Sequence, residues 1–496
     1  MGAATLTPLR EAVPRLVDHP QLHGRDLRSL ESFVLRTREF SRSAIRPRAL
    51  ELDRIADGDP GHFPWELAAE GAKLGLLNLI TPRPSGGDAD QFCLRAALVA
   101  EEIAAGCGGM ATLFGAHALG LTPLLLAGPG QWDGVMKEVA ASKDDERPLI
   151  MACAITEPSA GTDVEHHKLV RSAKLVSRAV RVDGGYRISG VKHFISNGNV
   201  ARWTTVVMPE DPKRPYETTL AFLVPDDAPG FAVTKVEHKM GQRASPAAEL
   251  TFDDVFVPDD HVLGRPGDGM AMVAGVLAGS RPVVGGIATG IARGAYERLL
   301  EWLQADPVAG GLLHHQQVQL ALAQMYEAIH VSRQAYVDAA TEFDSISLGK
   351  LMANVSTRLF GRMPAAVRTN AVAHRRLTGD QSRRLMIQLM QRSVGDRVLT
   401  QTLGMSSLAK ARGGDTAVWV AGLALEIAGL DCGALRPELE KCLRDAKLCQ
   451  IYEGTNQLNR LEVYEGLVAG LSMHVLDDAA AGMPGPDGHS GNGAMR

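Results

Sequence analysis

The sequence predicts an α+β fold in three successive parts: a helical N-terminal domain, a β-sandwich or barrel in the middle, and a C-terminal helical bundle. Three observations predict it. Apolar residues recur at helical spacing up to about Glu146. From Pro148 to about Pro258 the pattern changes to short strand-like runs around an Asp-Gly turn. After Pro258 helical spacing returns and lasts to about Leu471.

The elements follow in order. Residues 1–24 carry scattered prolines and read as a weakly structured extension. In the N-terminal domain, 25–147, Leu30, Phe33, Val34 and Leu35 begin the helical pattern. Leu98, Val99, Ile103 and Ala104 form a stripe that Gly106-Cys-Gly-Gly109 breaks. In the middle domain, 148–265, residues 180–189 read as two strands about Asp183-Gly184, with further strands at 204–208, 219–224 and 231–236. Leu250 and Phe252 share one face of another. In the C-terminal domain, 266–472, Ser280-Arg-Pro282 predicts a helix start, with Ser280 as N-cap and proline in the first turn. Gly285, Gly286 and Gly290 lie inside that helix, so another backbone or a ligand approaches closely there. A basic segment, 341–404, reads as a helical insertion whose arginines form a solvated face. Residues 473–496 are rich in Gly, Pro, Asp and Ala and read as a disordered tail.

Bulk properties narrow the function. The chain has 496 residues, 45 % hydrophobic, with net charge −5, which gives no nucleic-acid signature. Its six cysteines form no C-x-x-C pair, so free thiols in a reducing compartment are expected. No secretory signal and no uninterrupted membrane-spanning run is read, so a soluble cytoplasmic protein without a membrane partner is expected.

Chemistry concentrates near the C-terminus, in Gln450-Ile-Tyr-Glu-Gly-Thr-Asn-Gln457. Glu453 is a carboxylate placed just before Thr455, a good N-cap for the apolar-periodic run that follows. A candidate base thus adjoins a helix N-terminus suited to phosphate. Earlier, the small and bending residues of Thr156-Glu-Pro-Ser-Ala-Gly-Thr-Asp163 suit a pyrophosphate or a flat polar ring. In Lys192-His-Phe-Ile-Ser-Asn-Gly198, strand alternation puts Phe194 and Ser196 on one face, an aromatic beside a hydroxyl. Each of these alone is more often an ordinary turn or core residue. The adjacent His166 and His167 do not share a helix face, and no metal site is read.

Together, these segments, with Lys239–Pro258, Ser280–Gly290 and Arg444–Arg460, resemble the acyl-CoA dehydrogenase family over roughly residues 25–470. The resemblance implies non-covalent FAD and a homotetramer or homodimer. It implies that Glu453 abstracts the α-proton of an acyl thioester while hydride passes from the β-carbon to flavin N5. Ser280 stands where a second branch of the family carries its base, and has no carboxylate.

On the same ground, Ile155, Thr156, Gly161, Thr162, Phe194, Ser196, His315, Gln316, Gly429, Thr455 and Gln457 are expected to bind FAD. Thr162, Ser280, Arg281 and Gly454 are expected to meet substrate. The substrate is an acyl-CoA or an acyl-carrier-protein thioester, with an electron-transfer flavoprotein as electron acceptor. An acyl-CoA oxidase and a flavin-less thioester-binding scaffold remain the alternatives. Three departures stand out: residues 305–312 lack the family's arginine, the glycine stretch at 427–433 keeps only Gly429, and Ala278 replaces an aspartate that holds the pantetheine arm.

Overall fold

The computed structural model describes residues 24–81, 92–127, 129–264, 268–307, 309–346, 396–430 and 432–470. The expected extension up to residue 23, the arginine-rich 347–395 and the tail lie outside them. Residues 341–346 and 396–404, the flanks of the expected insertion, belong to long helices.

The N-terminal part packs α1 (Gly24–Phe40), α2 (Arg46–Gly58), α3 (Trp65–Leu74), α4 (Phe92–Gly106), α5 (Gly108–Ala127) and α6 (Pro129–Ala141), with a π-turn at Ser41–Ile45. The predicted glycine break falls between α4 and α5. The middle part is two stacked four-stranded sheets. One has order β1 (Met151–Ala154), β4 (Trp203–Pro209), β5 (Thr219–Pro225), β8 (Val262–Leu263), with β1 and β4 parallel. The other has order β2 (Arg178–Val182), β3 (Gly185–Ser196), β7 (Ala247–Pro258), β6 (Phe231–Val236) and is antiparallel. Gly184, at φ +73, makes the predicted β2–β3 turn. Ile188, Phe222, Leu250 and Phe252 fill the space between the sheets. The C-terminal part packs α7 (Asp268–Ala305), α8 (Gln316–Ile346), α9 (Asp396–Ala428), α10 (Leu435–Leu448) and α11 (Asn456–Val463), followed by a π-turn at Tyr464–Val468. Its core is continuous with that of the N-terminal helices.

Two expectations are corrected here. Ser280 is not an N-cap, because α7 runs unbroken from Asp268 and carries Pro282 inside it. Proline has no N–H for the carbonyl four residues back, that of Ala278. The Ser406 hydroxyl, from α9, donates to that carbonyl at 2.7 Å instead. Ser406→Ala would leave the buried carbonyl unpaired and is expected to cost about 1–3 kcal/mol in chemical denaturation. The second correction concerns apolar runs. Gly108–Ala127 and Asp268–Ala305 are both long and apolar enough to cross a membrane, by length and composition only. Most of each is buried in the core, which explains their apolarity on every side.

The helical glycines are explained by backbone contact. A Cβ on Gly286, Gly290 or Gly294 would lie 2.3–2.4 Å from the carbonyl oxygen of Ala97, Glu101 or Ala105. Helices α7 and α4 therefore meet backbone to backbone along three turns. Beside that seam lies a buried charge network. Arg293 is held by Glu101 at 2.8 Å, Glu102 at 2.8 Å and Glu297 at 3.0 Å, while Arg333 and Tyr336 also bond Glu101 and Arg38 bonds Glu102.

Candidate active site

The loop between α10 and α11 places Glu453 and Gly454 in consecutive left-handed conformations, at φ +57 and +78. Two reversed residues turn the chain sharply, and Thr455 then caps α11, its hydroxyl accepting from Leu458 N as predicted. The turn is pinned from two helices. From α7, Arg281 Nε donates to the Glu453 carbonyl at 3.1 Å. From α9, Lys410 Nζ bonds the Gly454 carbonyl and Asn456 Oδ1. A non-glycine residue in this region is costly and persists because its surroundings fix it.

The Glu453 side chain is partly buried and accepts the Ser280 hydroxyl at 2.5 Å. Burial pushes its carboxyl above the usual range, against the opposing Ser280 hydrogen bond and the charges of Arg281 and Lys410. A raised carboxyl is a stronger proton acceptor once ionised. Ser280→Ala removes an interaction that favours the ionised form, so the pKa rises further. The acid limb of the kcat/KM profile should move to higher pH, by about one unit.

Around the base, the fully buried Arg281 bonds Ser407 and Glu462, and Glu165 Oε2 lies 3.7 Å from its Nη2. Glu165, Glu462, Ser407 and Lys410 went unnoticed in the sequence. The one local signal was the pair Glu462 and Glu465, acidic residues within an otherwise amphipathic stretch. Glu465 bonds His166 Nε2 at 3.1 Å and Lys168 Nζ at 2.8 Å, which hold its carboxyl down to about 2 despite burial. Among the described residues, His166, His167 and Glu465 bring three ligand-type atoms within 4.8 Å. The ammonium of Lys168 on the same carboxylate makes this an ion-paired clasp between the segment after β1 and the C-terminal π-turn.

The residues expected at the cofactor divide into groups. Ile155, Thr156, Gly161 and Thr162 lie on the loop after β1. Glu157 there forms a buried ion pair at 3.0 Å with Lys192, which also bonds the Ile155 carbonyl. His193 N donates to the Thr156 carbonyl, so this loop adjoins the end of β3. Phe194 and Ser196 are on that strand, but regular alternation fails. Phe194 has φ +59 within a bulge between Lys192 and Ile195. It stands 59 % exposed, its ring stacked on His193. Gln457 is exposed in the first turn of α11. Gly429, at φ +71, terminates α9 and accepts from Arg436. His315 and Gln316 are exposed at the start of α8.

The donor set fits a flavin dinucleotide. Phe194 offers an aromatic face, a Cβ on Gly161 would meet nothing within 4 Å among the described residues, and the polar Thr455 and Gln457 stand at the start of α11. By contrast, Arg243 is committed to Asp57 at 3.1 Å and to Asp53. A cavity of about 320 Å³, lined by Arg46, Arg298, Lys441 and Asp445 among others, shares no residue with this site.

Comparison with known proteins settles the family. The acyl-CoA dehydrogenase N-terminal domain matches residues 29–131, the middle domain 152–255, and the C-terminal domain 267–361 and 381–468. The chain belongs to the acyl-CoA dehydrogenase family. It is therefore an oxidoreductase of a family of FAD flavoenzymes. Cyclohex-1-ene-1-carbonyl-CoA dehydrogenase of Geobacter metallireducens is 31 % identical over 427 residues, 86 % of this chain and 94 % of that protein. Butyryl-CoA dehydrogenase of Megasphaera elsdenii shares the acyl-CoA dehydrogenase fold at TM-score 0.68 and 24 % identity, over 88 % of this chain and 98 % of that one. An FAD complex of PigA does so at TM-score 0.68 and 20 % identity, over 90 % and 98 %. The C-terminal acyl-CoA dehydrogenase match skips only 362–380, narrower than the insertion expected from sequence.

Proposed function

We propose that this chain catalyses α,β-dehydrogenation of an acyl thioester, with Glu453 as the base. The observation that carries the reading is the Glu453 carboxyl itself, raised by burial and fixed by Ser280 beside a sharply turned backbone. A thioester carbonyl acidifies its α-hydrogens only weakly, so the base must be close, oriented and partly desolvated. Ser280 fixes one carboxylate oxygen and leaves the other for the proton. Arg281 and Lys410 supply positive charge near developing negative charge. FAD would be held by Phe194, Ser196, Thr156, Thr162, Thr455 and Gln457, and would supply the hydride acceptor. An electron-transfer flavoprotein is proposed to take the electrons onward.

A carrier-protein thioester is the second reading. Ala278 is fully buried and offers no side-chain bond to the pantetheine arm that both carriers share, so this position does not select CoA. The test is anaerobic bleaching of the flavin by acyl-CoAs and by carrier-linked acyl groups. A purified protein with no flavin bands and no gain on adding FAD would sink the enzyme reading. Rapid oxygen consumption during turnover would turn it into an oxidase.

A further inference from the structure

A Cβ built on Gly454, the residue after the base, would lie 3.1 Å from Arg281 Nη2 and 3.1 Å from Glu165 Oε2. Both atoms are buried, and neither has a hydrogen-bond partner among the described residues. They stand 3.7 Å apart. The other guanidinium nitrogens are occupied, Nε by the Glu453 carbonyl and Nη1 by Ser407 and Glu462. One N–H and one carboxyl oxygen thus converge, with bonding capacity unspent, beside a glycine whose added Cβ would also meet Leu458 Cδ2 at 2.9 Å. An unsatisfied buried polar atom costs about 1–3 kcal/mol, so two aimed at one gap beside a reactive carboxylate mark a place for a polar ligand atom.

Charge decides which atom. Glu165 is faced by Arg281 of α7, Lys410 of α9, Glu462 of α11 and Glu453 of the turn. Burial drives its carboxyl up to about 8, and Glu453 and Glu462 push the same way against Arg281 and Lys410. At neutral pH it is an acid and donates, as does Arg281. Two converging donors require an acceptor.

We propose that Glu165 and Arg281 form a two-donor clamp over Gly454 that holds a substrate carbonyl oxygen, namely the first amide carbonyl of the thiol-carrier arm. The inference rests on reading this as an acyl-thioester site. The thioester itself belongs beside Glu453, and the arm leads away from its sulfur past the next residue, whose Cα is about 3.8 Å further on. Coenzyme A and carrier-protein arms both carry an amide two carbons beyond the sulfur, so the clamp accepts either carrier. Glu165 reaches the gap because the turn Thr162–Glu165 is followed by the His166 and Lys168 clasp on Glu465. Above its pKa, Glu165 becomes an acceptor, pairs with Arg281 and closes the gap.

The test uses the FAD-loaded enzyme and Glu165→Gln, which keeps the shape and a donor that does not titrate. Butanoyl thioesters of N-acetylcysteamine, which has the amide, and of pentane-1-thiol, which lacks it, are compared between pH 6.5 and 9.5. Binding of 3,3-dimethylbutanoyl-CoA, which has no β-hydrogen to transfer, is measured by calorimetry over the same range. In the wild type, KM for the amide thioester should rise about tenfold, and affinity for the CoA analogue should fall about tenfold, as pH rises through 8, equivalent to one hydrogen bond. Glu165→Gln should be flat for both, and the pentanethiol ester should be flat in both proteins. A wild-type pH profile in Glu165→Gln, or an equal effect with the pentanethiol ester, overturns the clamp while leaving dehydrogenation standing. Analogue binding with the expected profile but no bleaching supports the clamp and sinks dehydrogenation instead. No analogue binding overturns both.

Discussion

Glu453→Gln is expected to retain FAD and bind acyl thioester, yet to lose flavin bleaching and α-proton exchange by about 10²–10⁴-fold. The replacement is nearly isosteric. Its amide oxygen can still accept the Ser280 hydroxyl, and the Arg281 and Lys410 contacts fall on backbone carbonyls that do not change. What disappears is a proton acceptor whose affinity burial has raised. Stopped-flow bleaching and exchange of the α-hydrogen with deuterated water read the loss directly. Near-normal bleaching would show that the base lies elsewhere, and Glu165 would become the first residue to test.

Arg293→Met should give the largest loss of stability, about 3–5 kcal/mol in chemical denaturation. The side chain is 2 % exposed and answers Glu101, Glu102 and Glu297 together. Without it, two adjacent buried carboxylates keep Arg333 and Arg38 as their cationic partners among the described residues. The pH dependence has a definite sign. Burial alone would raise the Glu101 carboxyl, but Arg333 first, then Arg293 and the Tyr336 hydroxyl, hold it down to about 2. A depressed carboxyl contributes stability above its unfolded value, and loses that contribution as pH falls towards 2. The stability lost between pH 4.5 and 2 should therefore be smaller in the variant. A variant within about 1 kcal/mol of wild type would show that the network is not held by Arg293.

What the sequence made legible was local. Glu453, Gly454 and Thr455 lie within three residues, so a base beside a cap was visible without the fold. The Asp183-Gly184 turn and the Leu250 and Phe252 face were visible for the same reason. Misreadings came where a distant group overrides local preference. Pro282 reads as a helix start until Ser406, brought in from another helix, supplies the missing donor. Phe194 reads as regular strand until the bulge at β3 turns it out. Of the charged surroundings of the base only Arg281 was visible, because Glu165, Lys410 and Glu462 come from three further stretches. Their carboxylates sit in segments whose pattern shows no reason for charge until Arg281 is placed among them.

The glycine seam between α4 and α7 has a mechanical consequence. Backbone already touches backbone at Gly286, Gly290 and Gly294, so these helices cannot be pressed closer, and parting them would pull Arg293 from its carboxylates. The stretch of α7 that carries Ser280 and Arg281, next to this seam, is thus anchored to a stiff spar. Whatever shift admits a substrate must be taken up opposite it, by the short turns at 162–172. These are tied to the C-terminal π-turn chiefly through a single carboxylate, Glu465. Stiffness on the side that carries Ser280 and Arg281, and compliance on the side that carries Glu165, divide catalysis from admission within one small volume.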